Sequence, residues 1–248
     1  MLKNFIAAAL LLAATFTHNA NAVAVDLELQ LLADVSGSIN NSEYALQLQG
    51  YSSAFRSDSV VDSILDGTIG SIAVQYIEWS SSNEQSVLVD WMLIDSEASA
   101  LAFADSLDAV TRAFSSATAI GSAITFGADL FASNGFESNR QVMDISGDGA
   151  RNDGENTITA RDAALASGVD TINGITIGDE SGLADYYQNN VLGGNNPFHI
   201  HASSFEDFST GIELKLIREI TTTTVPEPAS LALLGMGLLG LGGLRRRK

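Results

Sequence analysis

The chain has 248 residues, 46% of them apolar, with 30 acidic side chains against 12 basic ones and a formal charge of −18. That apolar content allows a sizeable core and excludes general disorder, while the acidity argues against DNA or RNA as partners because phosphates would be repelled. The chain has no cysteine, which rules out disulfides, thiolate zinc sites, iron–sulfur clusters and cysteine nucleophiles.

Residues 1–22 carry one positive charge at Lys3, an apolar stretch over 5–16 and the small-residue site Ala20-Asn21-Ala22. This is the pattern of a secretory signal peptide, cleaved after Ala22 or, as a second possibility, after Ala24. A nearly continuous apolar run over 27–33 predicts a strand buried on both faces. Ser42 is placed to cap a helix in which Tyr44, Leu48, Tyr51 and Phe55 follow a helical period. Strands follow at 72–79 and 87–94, and the short polar link between them predicts an antiparallel hairpin.

A helix is expected over 97–114, with Phe103, Leu107, Val110 and Phe114 on one side, and another from Ile120 through Ile124, Ala128 and Phe131. Then come a strand at 141–146, a helix through Ile158 and Leu165, a strand at 171–177 and a weaker one at 198–202. Phe205, Phe208, Ile212 and Leu216 mark a last amphipathic helix. Strands alternating with helices imply right-handed crossovers. The expected fold is one three-layer, doubly wound α/β domain over 23–220, its mainly parallel sheet carrying one antiparallel edge strand. Ligands in such folds sit where strand C-terminal ends face helix N-termini.

Three loops fall on that edge. The first strand runs into Asp34-Val35-Ser36-Gly37-Ser38, and alternation would point Asp34, Ser36 and Ser38 the same way. Thr118 precedes a helix after another crossover, and Asp148-Gly149 follows the strand at 141–146. Two carboxylates and three hydroxyls suit a hard cation: magnesium above all, with calcium or manganese as alternatives. Neutral hydroxyls would leave much of the ion's charge free to attract an acidic group from a partner.

Asp34-x-Ser36-x-Ser38, Thr118 within Thr-Ala-Ile-Gly, and Asp148-Gly149 together resemble a von Willebrand factor A domain with its metal-ion-dependent adhesion site. The resemblance covers most of 26–220. It implies hydroxyl ligands at Ser36, Ser38 and Thr118, with Asp34 and Asp148 acting directly or through water. That family usually has a hydroxyl residue directly before Asp-Gly, whereas Ser146-Gly147-Asp148-Gly149 inserts a glycine. Asp148 is the favoured ligand and Asp144 the fallback.

Other signals carry less. His199 and His201 share one strand face and could bind a transition metal, without an evident third ligand. The acidic, Gly-rich stretch 147–155 lacks EF-hand spacing and is expected to form a rim loop. Dinucleotide, P-loop and Gly-x-Ser-x-Gly motifs are absent.

Thr221 to Thr224 form a polar spacer within 221–225. They lead to Pro226-Glu227-Pro228, an apolar stretch at 229–244 and Arg245-Arg246-Arg247-Lys248. The stretch is slightly short for a membrane span, and its basic end would stay cytoplasmic. The segment 226–248 resembles the PEP-CTERM sorting signal of exopolysaccharide-producing bacteria. That resemblance implies processing by an exosortase, the alternative being a permanent single-span anchor. Without the two ends, the net charge over 23–225 falls to about −22.

The leading expectation is therefore an exported, non-enzymatic adhesion module. It would engage an acidic protein or exopolysaccharide through a divalent cation at the cell surface, envelope or extracellular matrix. The alternatives are a matrix-acting hydrolase using Asp148 or Asp34, or a structural protein whose ion only stiffens the loops.

Overall fold

The computed structural model describes residues 22–132 and 134–222; the signal peptide, most of the spacer and the sorting segment lie outside them. In chain order the elements are β1 (Val23–Ala24), β2 (Leu27–Asp34), α1 (Asn41–Ala54), α2 (Asp58–Leu65), β3 (Ile72–Trp79) and β4 (Gln85–Ile94). Next are α3 (Glu97–Asp108), α4 (Ile120–Asp129), β5 (Phe136–Glu137), β6 (Gln141–Gly147), α5 (Thr157–Ser167) and β7 (Thr171–Ile177). The last are α6 (Leu183–Tyr186), running into a π-helical turn at Tyr187–Val191, then β8 (Gly193–Gly194), β9 (His199–Ala202) and α7 (Phe205–Thr221).

Among the described residues the central sheet has the order β4-β3-β2-β6-β7, with β8 and β9 both pairing to β7. The β2–β3, β2–β6, β6–β7 and β7–β9 pairs are parallel, whereas β4 runs antiparallel to β3 at one edge. Short β8 adds a second antiparallel pairing. The expected three-layer α/β architecture is present, and its strands are continuous apolar runs because both sheet faces are covered. Leu27, Leu29, Leu31 and Ala33 pack with α1, α2, α3 and α7, while Leu32, Met143 and Ile145 pack with α4, α5 and α6.

Strands β3 and β7 match their predicted limits, but several helical expectations need correction. Asn40, not Ser42, caps α1: its side chain accepts from Ser42 N and Glu43 N, and Glu43 returns a bond to Asn40 N at 2.8 Å. A short helix, α2, follows only three residues later. Helix α3 stops at Asp108 rather than 114, although Val110 and Phe114 continue its period. Polar pairing overrides the period: the Arg112 guanidinium donates to the Val35 and Ser36 carbonyls at 2.8 Å each, and buried Glu78 accepts from Ala113 N at 2.8 Å. Ile158 is exposed, and α5 buries Thr157, Ala160 and Ala164 instead.

Asp144 lies in mid-strand on the face beneath α7. There Lys215 Nζ is 2.7 Å from Asp144 Oδ1 and 2.5 Å from Glu219 Oε1, with all three side chains fully buried. Asn173 Nδ2 also donates to Glu219, at 2.9 Å. Burial raises the Asp144 carboxyl, Lys215 pulls it back and Glu219 pushes it up again. This ion triad lies away from the three loops, so the fallback role for Asp144 is set aside.

Candidate functional site

Asp34 is the last residue of β2 and fully buried; its Oδ1 accepts from Ser36 N at 2.7 Å, closing the turn after the strand. Ser36 Oγ and Ser38 Oγ are 3.2 Å apart, and Ser38 Oγ donates to Asp148 Oδ1 at 2.7 Å. One hydrogen-bonded chain thus links the loop after β2 to the loop after β6. Thr118, nearly buried, enters from a third loop. Its N–H donates to the Asn152 side chain at 2.8 Å, and its carbonyl accepts from Asn152 N at 3.0 Å. This reciprocal clasp ties the loop before α4 to the loop after β6. Thr118 Oγ1 and Glu180 Oε2 lie 3.9 and 3.7 Å from where a Cβ on Gly149 would sit. All five residues proposed from the sequence therefore come to one edge of the sheet.

The inserted glycine has a packing reason. Strand alternation sends Ser146 to the α1 face, where Gln47 Nε2 and Tyr51 Oη donate to it at 3.0 Å each. Gly147 faces the other way, and a Cβ there would lie 2.6 Å from Tyr187 Oη and 3.0 Å from Asp34 Oδ2. Gly147→Ala is accordingly expected to cost about 1–3 kcal/mol of stability, the usual range for overpacking, as read from urea denaturation. A wild-type midpoint would show that the space is not tight.

The electrostatics are one-sided. Burial pushes the Asp34 carboxyl up to about 7, aided by the nearby Asp148 charge and opposed by the Ser36 N–H. Asp148 is also raised, chiefly by burial and further by Glu43 and Glu180, with Ser38 opposing. Asp34 Oδ2 is buried without a hydrogen-bond partner. Arg112 is close, but its guanidinium is spent on carbonyl oxygens. Two crowded carboxylates, one with an unpartnered oxygen, among three hydroxyls make an all-oxygen donor set that fits a hard divalent cation. Among the described residues no group of three His, Cys, Asp or Glu side chains is placed to hold a metal, so an ion here would have to rest partly on hydroxyls.

His199 and His201 do share a face, and the Thr176 hydroxyl lies between them, 2.8 Å from His199 Nε2 and 3.1 Å from His201 Nδ1. A cavity of about 260 Å³ beside the three loops is lined by Thr176, Asp179, Glu180, Leu183 and His201 among others. Arg112, Glu180 and Tyr187 belong to this edge without having been expected there, while Asn152 falls in the 147–155 stretch that was expected as a rim loop, its clasp on Thr118 being new. Arg112 offered one signal, being one of only seven bases between residues 23 and 225.

The fold is that of von Willebrand factor A domains. Proximal thread matrix protein 1 from the mussel byssus, described with a zinc-occupied MIDAS motif, aligns with TM-score 0.60 at 16% identity, over 82% of this chain and 50% of its own. The von Willebrand factor type A protein from Catenulispora acidiphila aligns with TM-score 0.54 at 13% identity, over 79% and 43%. The pilus adhesin SpaC from Lactobacillus rhamnosus GG aligns with TM-score 0.55 at 14% identity, over 81% and 31%. The chain thus spans half or less of the length of these solved structures.

The chain belongs to the family described as Protein of unknown function (DUF1194), whose model matches residues 24–224. The PEP-CTERM protein-sorting motif matches residues 224–248. This is therefore an exported protein of the cell envelope or surface, and the motif indicates exosortase processing. No curated protein matches the sequence. Among the described residues no helix is long and apolar enough to cross a membrane; the apolar stretch 229–244 lies outside them.

Proposed function

We propose that this exported protein is a metal-dependent binding module that captures an acidic group of an extracellular protein or polysaccharide. Asp34, Ser36, Ser38, Thr118 and Asp148 would hold one divalent cation, magnesium being favoured. Calcium and manganese suit the same oxygens, and zinc, which occupies the MIDAS motif of the mussel protein, is a further candidate. When bound, the ion supplies a positive centre with an open position for an incoming carboxylate oxygen.

The observation that carries this reading is the hydrogen-bonded chain from Ser36 through Ser38 to Asp148, beside the unpartnered Oδ2 of Asp34. Neutral hydroxyls in contact with the ion would leave more of its charge free than a cage of direct carboxylates would. The surrounding Glu43 and Glu180 make that charge the feature an anion would seek, and they oppose binding once the ion is gone. Binding rather than turnover is favoured because His199 and His201 bond to Thr176, not to Ser36 or Ser38, so neither serine has an imidazole base beside it.

The test is capture of partners from the producing organism's envelope and matrix by the full chain, in magnesium against chelator. At least a tenfold loss of one captured species on chelation is expected. Equal capture in both conditions would overturn the reading.

A further inference from the structure

A fourth hydroxyl-bearing side chain reaches the same edge, from an element outside the three loops. Tyr187 is fully buried and begins the π-helical turn at Tyr187–Val191. Its ring is held on the sheet face covered by α5 and α6, where two glycines on adjacent strands make room. A Cβ on Gly174 would lie 2.6 Å from Tyr187 Cδ1, and one on Gly147 would lie 2.6 Å from Tyr187 Oη. The ring packs edge-on against Tyr186 and tilts against His199.

So wedged, the phenol cannot swing its hydroxyl to solvent. Tyr187 Oη and Asp34 Oδ2 both lie within 3.0 Å of the Gly147 Cβ position, and both are buried without a hydrogen-bond partner. One is a donor and the other an acceptor. A phenylalanine would fill the same space without burying an unpaired hydroxyl, so packing alone does not account for tyrosine. Single π-turns inside helices frequently mark functional positions, and this one brings a hydroxyl to the same glycine that borders Asp34 Oδ2, the oxygen that Ser36 N–H leaves free.

We propose that Tyr187 is a positioning residue of the cation site, its hydroxyl serving the Oδ2 side of Asp34 and holding that carboxylate in place for a divalent ion. The proposal rests on the cation reading above and adds a residue outside the three-loop motif. Partners that fix the orientation of metal ligands are commonly worth 10- to 100-fold in metal affinity.

The test compares the full chain with Tyr187→Phe in a mild detergent, both stripped of metal by chelator and dialysed. Calorimetric titration with magnesium alone should show binding weakened about tenfold in the variant. In chelator, Tyr187→Phe should melt at or above the wild type, because the variant no longer buries an unpaired hydroxyl. Adding magnesium should perturb the tyrosine absorption of the wild type, and most of that difference should vanish in the variant. Equal magnesium affinity in the two proteins overturns the role of Tyr187 while leaving the cation reading intact. A variant that melts lower in chelator by as much as in magnesium assigns Tyr187 to packing and also overturns the role. A wild type that takes up no magnesium removes the cation reading, and this inference with it.

Discussion

Asp34→Asn is expected to lower magnesium affinity by about 100-fold, roughly 2.7 kcal/mol at about 1.36 kcal/mol per tenfold, and yet to stabilise the metal-free protein at alkaline pH. The variant keeps an acceptor for Ser36 N–H and removes a charge that the metal-free fold buries at a cost. The Asp34 carboxyl, ordinarily near 3.8, is pushed up to about 7 in the folded chain by burial. A folded-state pKa above the unfolded one means that the folded protein holds the extra proton between those two values. Stability therefore falls as pH rises through that window, and the full cost is carried above about pH 7. The full cost of ionising Asp34 in the fold is then about 4 kcal/mol, at about 1.36 kcal/mol for each tenfold change in proton affinity. Asp148 contributes with the same sign, since its carboxyl is also raised.

In chelator the wild type should consequently melt lower at pH 8 than at pH 5. Magnesium at about 100 times its dissociation constant should recover about 2.7 kcal/mol at pH 8 and much less at pH 5, where protons compete for the same oxygens. Asp34→Asn should show a flatter pH profile in chelator and gain almost nothing from the ion. Thermal melts of both proteins at the two pH values, with and without magnesium, decide it. A variant that still gains the wild-type increment would take Asp34 out of the ion's coordination.

The largest stability effect is expected from Lys215→Met. The ammonium lies between two fully buried carboxylates, and removing it leaves Asp144 and Glu219 without the cation they both touch. Breaking a buried ion pair by deleting one partner costs about 3–5 kcal/mol, which for a domain of this size lowers the melting point by roughly 10 °C. Lost packing adds to this, because Lys215 Nζ also stands 5.3 Å from the centre of the Phe198 ring. Replacing the triad together, with Asp144→Leu, Lys215→Met and Glu219→Gln, should recover most of the loss, since no charge is then stranded. Urea denaturation of the single and triple variants separates the two causes. A triple variant as unstable as the single one would show that shape, not charge, makes Lys215 necessary.

Much of this fold was legible because its strands are buried on both faces. The runs at Ile72–Trp79 and Thr171–Ile177 are bounded in sequence by glycine or polar residues, and the pattern stops where the strand stops. Periodicity failed where a distant polar group captured the backbone. Val110 and Phe114 extend the period of α3, but Arg112 and Glu78 claim that segment for the top of the sheet across sequence separations of 77 and 35. Asp34, Ser36 and Ser38 could be read together because alternation within five residues is local. Thr118 and Asp148 could be added because crossovers return each loop to the same sheet edge. The roles of Asn152 and Tyr187 were invisible for the opposite reason: one acts by clasping a loop 34 residues away, the other through the room left by two glycines on neighbouring strands. The buried triad was equally hidden, since Lys215 and Glu219 read as the polar face of an amphipathic helix until α7 is laid over Asp144.

Where α7 ends has a bearing on how the protein meets its surroundings. Arg140, just before β6, donates to the Glu219 and Ile220 carbonyls, so α7 finishes at the strand starts, while Asp34 and Asp148 stand at the strand ends. The eight residues of β2 separate those two edges by roughly 26 Å, at about 3.3 Å per residue. A surface attachment made through the segment beyond Thr221 would therefore hold the domain by the edge opposite Asp34 and Asp148 and leave the acidic loops facing away from that surface.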